Sequence, residues 1–318
     1  MIPARSAAAI ALVALLVVGC SDDSEGVERT STPTSIVGTT VSTSSTTPIS
    51  TTTTTSSTAT RITVELTAEV LATLLTEVER TAATGDGSSG VRQQLLYRYL
   101  STHPEHDTAA LAAVGDDVRP YVQRIISARQ FGQARQAANP STTPASTTLP
   151  AWIVVDPLPE DELLDYYREA EAATGIAWYW LAAIHFQETR MGRIIGTSSA
   201  GAIGPMQFLP STWAQCCTGD PWISRDAIIG AATYLGQSGG PADMAAALHG
   251  YNPNDSYVAT VTAFAENMRD NPQLYNAYRQ WQVFYTSSAG TIRLPVGYNQ
   301  AQPIDAATYL VEHPGDAG

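Results

Sequence analysis

The segment Leu181-Ala-Ala-Ile-His-Phe-Gln-Glu188-Thr-Arg-Met-Gly192 is the most informative part of the sequence, because it places a carboxylate near the end of an almost wholly apolar helix. The apolar pattern runs over residues 176–191, and Gly192 predicts its end. Removing a carboxylate from water favours its neutral form and raises its pKa. A carboxyl group that is protonated near neutral pH can act as a general acid toward a glycosidic oxygen. The alternative is that Glu188 lies on a face of the helix that is open to solvent.

Helical spacing of apolar residues continues on both sides of this segment, over residues 163–269. Gly175 predicts the end of the preceding helix, and Asn254 predicts the cap of the last helix. Strand patterns follow at residues 283–285 and 291–294, on either side of a Ser-Ser-Ala-Gly turn, which is typical of a hairpin. The sequence therefore predicts a mainly α fold with a short β-hairpin near the C-terminus.

Changes in composition divide the chain into further parts. Residues 61–136 form a helical unit, interrupted by the glycines at residues 85–90. Residues 137–150 are a linker rich in Pro, Ser and Thr, residues 151–298 hold the main domain with a C-terminal extension, and residues 299–318 are a tail. We expect the helical unit either to form a small antiparallel bundle or to pack on the main domain. Nothing in it identifies a protein partner.

The first 19 residues have the features of an export signal. Arg5 precedes an apolar run at residues 7–18, which is too short to span a hydrocarbon core of ~30 Å as a helix. The next residues, Val17-Val18-Gly19-Cys20, resemble a bacterial lipobox, in which the cysteine is acylated and becomes the new N-terminus. We expect residues 1–19 to be a lipoprotein signal peptide and the exported chain to be anchored through Cys20 at the outer face of the cell membrane. The alternatives are an ordinary signal peptide with a chance cysteine, or a cytosolic N-terminus.

A tether rich in Ser and Thr is predicted at residues 20–60. Of the 40 residues at positions 21–60, 25 are Ser or Thr, which leaves too little apolar surface to offset the entropy cost of ordering the backbone. Such a segment would let the following domains reach outward from the membrane.

Composition excludes several classes of protein. All 17 basic residues are Arg, and against 30 acidic residues they give a net charge of -13. No cluster of cations is present to neutralise phosphates, so we expect no binding of nucleic acid. Three cysteines are too few for a disulfide scaffold or a multi-cysteine metal site. His103 and His106 lack a third ligand in the sequence, so we expect no metal site and no cofactor.

Two later segments carry groups suited to a carbohydrate. The stretch Ser199-Ala-Gly-Ala-Ile-Gly-Pro-Met-Gln-Phe-Leu-Pro-Ser211 contains glycines that permit close approach of the backbone to a ligand. The Gln207 amide suits sugar hydroxyls and acetamides, and the apolar side chains beside it suit a sugar face. Tyr251 can bond a carbohydrate or the catalytic carboxylate from a helix-to-loop junction. The predicted substrate-binding residues are Ser199, Met206, Gln207, Phe208, Tyr251 and Asn252. The alternatives are a structural turn and a buried tyrosine.

In this order, the Glu-Thr-x-x-Gly, Ala-Gly-Ala-x-Gly-x-x-Gln-Phe-x-Pro-Ser and Tyr-Asn segments resemble lytic transglycosylases of bacterial cell walls. The first two are similar to the membrane-bound type B, and the third is similar to the soluble type (SLT). The whole arrangement resembles actinobacterial SLT-domain lipoproteins, which have a similar Trp-Gln-Val-x-Tyr segment, here from Trp281. The resemblance covers residues 66–298 in outline and is strongest over residues 161–269. It implies a lysozyme-like fold with a groove for peptidoglycan glycan strands. Met191 departs from the tyrosine that is frequent there, and the loop at residues 215–220 is shorter than usual.

The resemblance also implies a mechanism. Glu188 would be the single general acid/base, cleaving the β-1,4 bond between N-acetylmuramic acid and N-acetylglucosamine with formation of a 1,6-anhydro ring. A hydrolase would need a second carboxylate. Asp220 and Asp226 are the nearest candidates, although Asp226 also fits the first turn of a helix. The alternatives are thus a muramidase that acts on the same bond and a non-catalytic lipoprotein that binds the cell wall.

Cys216 and Cys217 are adjacent in the sequence. An oxidising compartment permits a disulfide between them, but neighbouring Cα atoms lie ~3.8 Å apart, closer than the ~4.4–6.8 Å usual for a disulfide. Both a vicinal disulfide and free thiols stay open from the sequence. A catalytic pair of one of these cysteines with His185 or His249 is a third alternative. The sequence shows no residues nearby that would activate such a pair.

Overall fold

The computed structural model describes residues 66–318 of the chain, and most of the apolar residues at helical spacing in this range lie in helices. The predicted mainly α, lysozyme-like fold is confirmed. The signal peptide at residues 1–19, the lipidation site Cys20 and the tether at residues 20–60 lie outside the described residues. No helix of residues 66–318 has the length and apolar character needed to cross a membrane. The α-helices are α1 Ala68–Ala82, α2 Gly90–Thr102, α3 Asp107–Ala113, α4 Arg119–Ala138, α5 Glu160–Thr174, α6 Trp178–Thr189, α7 Pro210–Cys216, α8 Ser224–Gln237, α9 Met244–Tyr251, α10 Asp255–Asp270, α11 Leu274–Arg279 and α12 Ala306–Glu312.

The ends of the central helices follow local sequence, with one difference. Gly175 ends α5 in the left-handed conformation, with φ at 77°, as predicted. Asn254 caps α10, because its side-chain oxygen accepts hydrogen bonds from the backbone N–H groups of Ser256 and Tyr257. Helix α6 ends at Thr189, two residues earlier than predicted. The chain turns left-handed at residues 190–192, with φ values of 55°, 59° and 83°, so the turn begins two residues after Glu188.

The N-terminal helices pack on the helices that follow rather than forming a separate bundle. Helix α4 lies along α10, and Asn267 of α10 donates a hydrogen bond of 3.2 Å to the backbone oxygen of Tyr121. Helix α2 contacts α11 so closely that a methyl group added at Gly90 would lie 2.0 Å from the oxygen of Ala277. Residues 67–318 therefore form one unit with a shared interior.

A buried polar network joins α1, α2 and the segment after α11. The Glu79 carboxylate accepts a hydrogen bond of 2.5 Å from the Tyr97 hydroxyl and bonds of 3.0 and 3.1 Å from the Gln93 amide. Gln93 in turn accepts a hydrogen bond of 2.9 Å from the Trp281 ring N–H. Burial raises the pKa of Glu79 to about 7. The Trp281 ring lies 5.2 Å from that of Phe186 in α6, so the network abuts the central helix.

Short strands form a small module around the C-terminus. The predicted hairpin is confirmed, with its strands at Val283–Ser287 (β4) and Gly290–Leu294 (β5). Thr148–Leu149 (β1) pairs with Ile304–Asp305 (β6), although composition assigned these residues to a linker and a tail. Ile153–Val154 (β2) pairs with Ile194–Ile195 (β3). All three pairs are antiparallel, and their apolar side chains share a core. Residues before and after the helical domain thus enclose one side of it.

Candidate active site

Glu188 lies in the last turn of α6 with 8% of its surface exposed. Burial raises the pKa of this carboxyl to about 8, and the nearby Tyr257 hydroxyl opposes that shift in part. Among the described residues, no other carboxylate and no cation contributes to the pKa shift of Glu188. Desolvation therefore makes Glu188 a carboxylic acid, rather than a carboxylate, near neutral pH.

Glu188 and Tyr257 approach each other without completing a hydrogen bond. The Oε1 atom of Glu188 and the hydroxyl of Tyr257 are both buried and have no hydrogen-bond partner in residues 66–318. An unpaired buried polar group costs about 1–3 kcal/mol. Two such groups beside each other form a site that a hydroxyl or amide of a bound molecule can complete.

A tight loop at residues 198–208 follows α6. Backbone hydrogen bonds of 2.8 and 3.0 Å join Ile203 and Phe208 across its tip. Gln207 adopts a left-handed conformation with φ at 49°, and its amide nitrogen donates to the oxygen of Gly204 at 2.8 Å. A longer contact of 3.4 Å joins the same nitrogen to the oxygen of Gly196. The Gln207 amide thus closes the loop on itself.

Two side chains fasten this loop beside Glu188. The Thr189 hydroxyl, next to Glu188 in sequence, donates a hydrogen bond of 2.6 Å to the oxygen of Pro205. The Tyr251 hydroxyl, from the end of α9, donates one of 2.6 Å to the oxygen of Met206. The loop is therefore held between the end of α6 and the end of α9.

Comparison with known proteins gives a limited similarity. The chain is 35% identical over 74 residues to membrane-bound lytic murein transglycosylase F of Thiobacillus denitrificans. The match covers 23% of this chain and 16% of the length of that relative. No family model matches the chain, and no solved structure matches it. The similarity supports a relationship to the transglycosylases. It does not show that the chain belongs to the actinobacterial lipoproteins that its motifs resemble.

The structure brings most of the predicted substrate-binding residues together but buries them. Met206 and Phe208 are 0% and 1% exposed, so neither presents an apolar face to a sugar. The Phe208 ring packs at 5.4 Å from that of Tyr251, inside the domain. Gln207 and Asn252 are also buried, whereas Ser199 is exposed at the start of the loop. These residues support the loop, and a ligand would meet Ser199 and the backbone before it met the apolar side chains.

The two tyrosines near Glu188 have different contacts. Tyr251, predicted to orient Glu188 or the substrate, is fully buried and uses its hydroxyl to hold the backbone of Met206. Burial raises the pKa of Tyr251, and the Glu188 charge raises it further, so the two groups are close. Of the two tyrosines, only Tyr257 affects the pKa of Glu188, and sequence reasoning missed it. Its position directly after Ser256, in the capped first turn of α10, carries no pattern that separates it from other tyrosines.

The two candidates for a second carboxylate are placed in a structural turn. The Asp226 carboxylate accepts a hydrogen bond of 3.0 Å from the backbone N–H of Asp220. It fills the space beside Gly219, where an added methyl group would lie 2.4 Å from its oxygen. Cys216 and Cys217, just before this turn, are joined by a disulfide. Asp226 therefore stabilises the turn after α7.

Proposed function

We propose that this chain is a peptidoglycan lytic transglycosylase with Glu188 as its general acid/base. The observation that carries the proposal is the burial of Glu188, which keeps the carboxyl protonated near neutral pH and leaves Oε1 without a partner. The similarity to a lytic murein transglycosylase supports the cell wall as the substrate. Exposed Ser199 and the 198–208 loop would form one edge of the groove for the glycan strand.

In this mechanism Glu188 acts twice. The carboxylic acid donates its proton to the oxygen between N-acetylmuramic acid and N-acetylglucosamine, and the C1–O bond breaks. The acetamide of the muramic acid stabilises the positive charge at C1. The Glu188 carboxylate then takes the proton of the C6 hydroxyl, whose oxygen bonds to C1 and closes a 1,6-anhydro ring. The acid is regenerated, and water is not consumed.

The surroundings of Glu188 favour this reaction over hydrolysis. A muramidase that uses two carboxylates needs the second one close to the first. No other carboxylate of residues 66–318 affects the pKa of Glu188, and Asp226 is engaged in the turn at Asp220. A non-catalytic wall-binding protein would have no use for a buried acid, which lowers the stability of the fold whenever it ionises. Hydrolysis by a water molecule held at Tyr257 is the second candidate, because its hydroxyl has no partner.

Product analysis tests the proposal. Mass spectrometry of muropeptides released from purified sacculi should show 1,6-anhydro ends, whereas a muramidase gives reducing ends. Glu188→Gln should reduce release at least ~10²-fold, the low end for loss of a general acid. Glu312→Gln, on the exposed end of α12, is the matched control and should leave release unchanged. Near-normal release by Glu188→Gln would remove the assignment.

We also propose that the enzyme is exported and held at the membrane through lipid on Cys20. The lipobox pattern supports the anchor, and acyl chains contribute ~0.8 kcal/mol per buried CH₂ group. Cys20→Ser should move the full chain from the membrane fraction to the soluble envelope fraction. Retention of the variant with membranes after a salt wash would contradict the lipid anchor.

A further inference from the structure

Trp222 is an exposed aromatic side chain in the turn between α7 and α8. It is 45% exposed, and its neighbour Ile223 is 53% exposed. The Trp222 ring has no ring contact with any other aromatic side chain of residues 66–318. Two adjacent apolar side chains of this turn are therefore open to a ligand.

The backbone beneath Trp222 is fixed by hydrogen bonds. The N–H of Trp222 donates to the Asp220 carboxylate at 2.9 Å, and the N–H of Ile223 donates to the Asp220 backbone oxygen at 3.0 Å. Asp220 is itself held by Asp226. The ring is thus presented by a rigid turn, and holding a binding group in place before the ligand arrives reduces the entropy cost of binding.

This turn lies directly on the loop beside Glu188. A methyl group added at Gly204 would lie 1.9 Å from the oxygen of Pro221, so the two backbones are in contact. Pro205, the next residue of the loop, accepts the hydrogen bond from Thr189 at the end of α6. Two contacts therefore connect Trp222 to the residue that follows Glu188.

We propose that Trp222, with Ile223 beside it, is a stacking surface for a pyranose ring of the glycan strand, next to the bond that Glu188 cleaves. This inference rests on the proposed function and adds a specificity-determining residue to it. A pyranose has an apolar C–H face and polar edges, which match the flat indole with its N–H donor. A protein partner fits less well, because one tryptophan buries about 150–250 Å² whereas a stable interface buries about 800 Å² on each partner.

Binding of chitotetraose and of purified sacculi to the full chain tests the inference. Trp222→Ala should weaken binding of both about 3- to 10-fold, the range for loss of one aromatic stacking contact. Trp222→Tyr keeps a flat ring and should bind within about twofold of the parent, whereas Trp222→Leu keeps apolar bulk without the ring and should resemble Ala. Val311→Ala removes another exposed apolar side chain, 82% exposed on α12, and should have no effect.

The outcomes separate this inference from the proposed function. Unchanged binding by Trp222→Ala, with a normal melting temperature, overturns the stacking role even when Glu188→Gln abolishes turnover. Equal binding by Trp222→Leu and Trp222→Tyr overturns it in favour of nonspecific apolar contact. If the parent chain self-associates and Trp222→Ala abolishes that association without a change in sugar binding, the surface belongs to a second copy of the chain and the stacking role is overturned. Sacculus binding is measured in the Glu188→Gln background, where turnover is expected to be lost. Full turnover by Glu188→Gln would overturn the proposed function, and the effect of Trp222→Ala on binding of chitotetraose would still test the stacking role.

Discussion

The hydroxyl of Tyr257 lies beside the carboxyl group of Glu188, and neither Oε1 nor the hydroxyl has a hydrogen-bond partner in residues 66–318. The tyrosine hydroxyl can donate to the ionised form of Glu188, which is why it lowers the pKa that burial raises. A proposed reaction in which Glu188 alternates between acid and carboxylate would use this donor in the ionised state.

Tyr257→Phe should therefore reduce turnover without unfolding the domain. A hydrogen bond to a charged group contributes about 1.5–3 kcal/mol, which predicts a loss of about 10- to 150-fold in kcat. The melting temperature should stay close to that of the parent, because the hydroxyl has no partner to lose. Tyr275→Phe is the matched control, since the Tyr275 hydroxyl is also buried without a hydrogen-bond partner. The Tyr275 ring packs against Trp178, at the other end of α6 from Glu188. Equal turnover in the two variants would exclude a role for Tyr257 at Glu188.

The pH dependence of turnover should have an alkaline limb set by Glu188. Because burial raises the pKa of Glu188 to about 8, the acid form is present below that pH and is lost above it. We expect kcat/KM on sacculi to fall tenfold for each pH unit above about 8. The Glu79→Gln variant should keep this limb, which would show that the loss of turnover does not come from unfolding linked to Glu79. A midpoint near 4.5, the ordinary value for Glu, would show that Glu188 is open to solvent in solution.

Fold stability should decrease between about pH 4.5 and pH 7 because of Glu79. Folding raises the pKa of Glu79 from 4.5 to about 7, so its contribution is fully present below 4.5 and is lost as the pH rises through 7. The shift corresponds to about 3 kcal/mol. Glu79→Gln should remove that part of the pH dependence in urea unfolding. The comparison is best made in the Glu188→Gln background, because Glu188 contributes with the same sign. An unchanged pH dependence would place the Glu79 carboxylate in contact with water.

Tyr251→Phe should act on stability first and on turnover second. The Tyr251 hydroxyl bonds the oxygen of Met206, and its removal leaves a buried carbonyl without that donor. The expected cost is about 1–3 kcal/mol of unfolding free energy. Turnover at a temperature well below the transition should fall less than in Tyr257→Phe. Full stability with lost turnover would instead indicate that Tyr251 contacts the substrate.

The sequence predicted those features that rest on local patterns. The burial of Glu188 follows from the apolar residues around it in α6, and Gly175 and Asn254 mark helix ends through their own backbone and side-chain chemistry. It did not predict the directions of Met206 and Phe208, because residues in a loop have no periodicity that separates a core face from a ligand face. Tyr257 was missed for a related reason, since its proximity to Glu188 arises from the packing of α10 on α6.

Pairing over long sequence distances was also beyond the reach of pattern analysis. Strands β1 and β6 have two residues each, too short for alternation to be visible, and they are separated by most of the folded chain. Whether the N-terminal helices form a separate bundle or pack on the main domain depends on contacts that the sequence does not show. Gly90, for example, looks like a helix break in the sequence but is a point of backbone contact in the fold.

The packing of α4 along α10 has a practical consequence for truncation. A fragment that began at the lysozyme-like segment would lose Glu79, Tyr97 and Gln93 together and would leave the ring N–H of Trp281 without the Gln93 oxygen that accepts its hydrogen bond. The faces of Phe186 and Phe264 that α2 and α4 enclose would then be exposed as an apolar surface that favours aggregation. The smallest piece worth expressing on its own therefore starts near Thr67 and runs to Gly318, although the motifs that suggest an activity occupy less than half of that length.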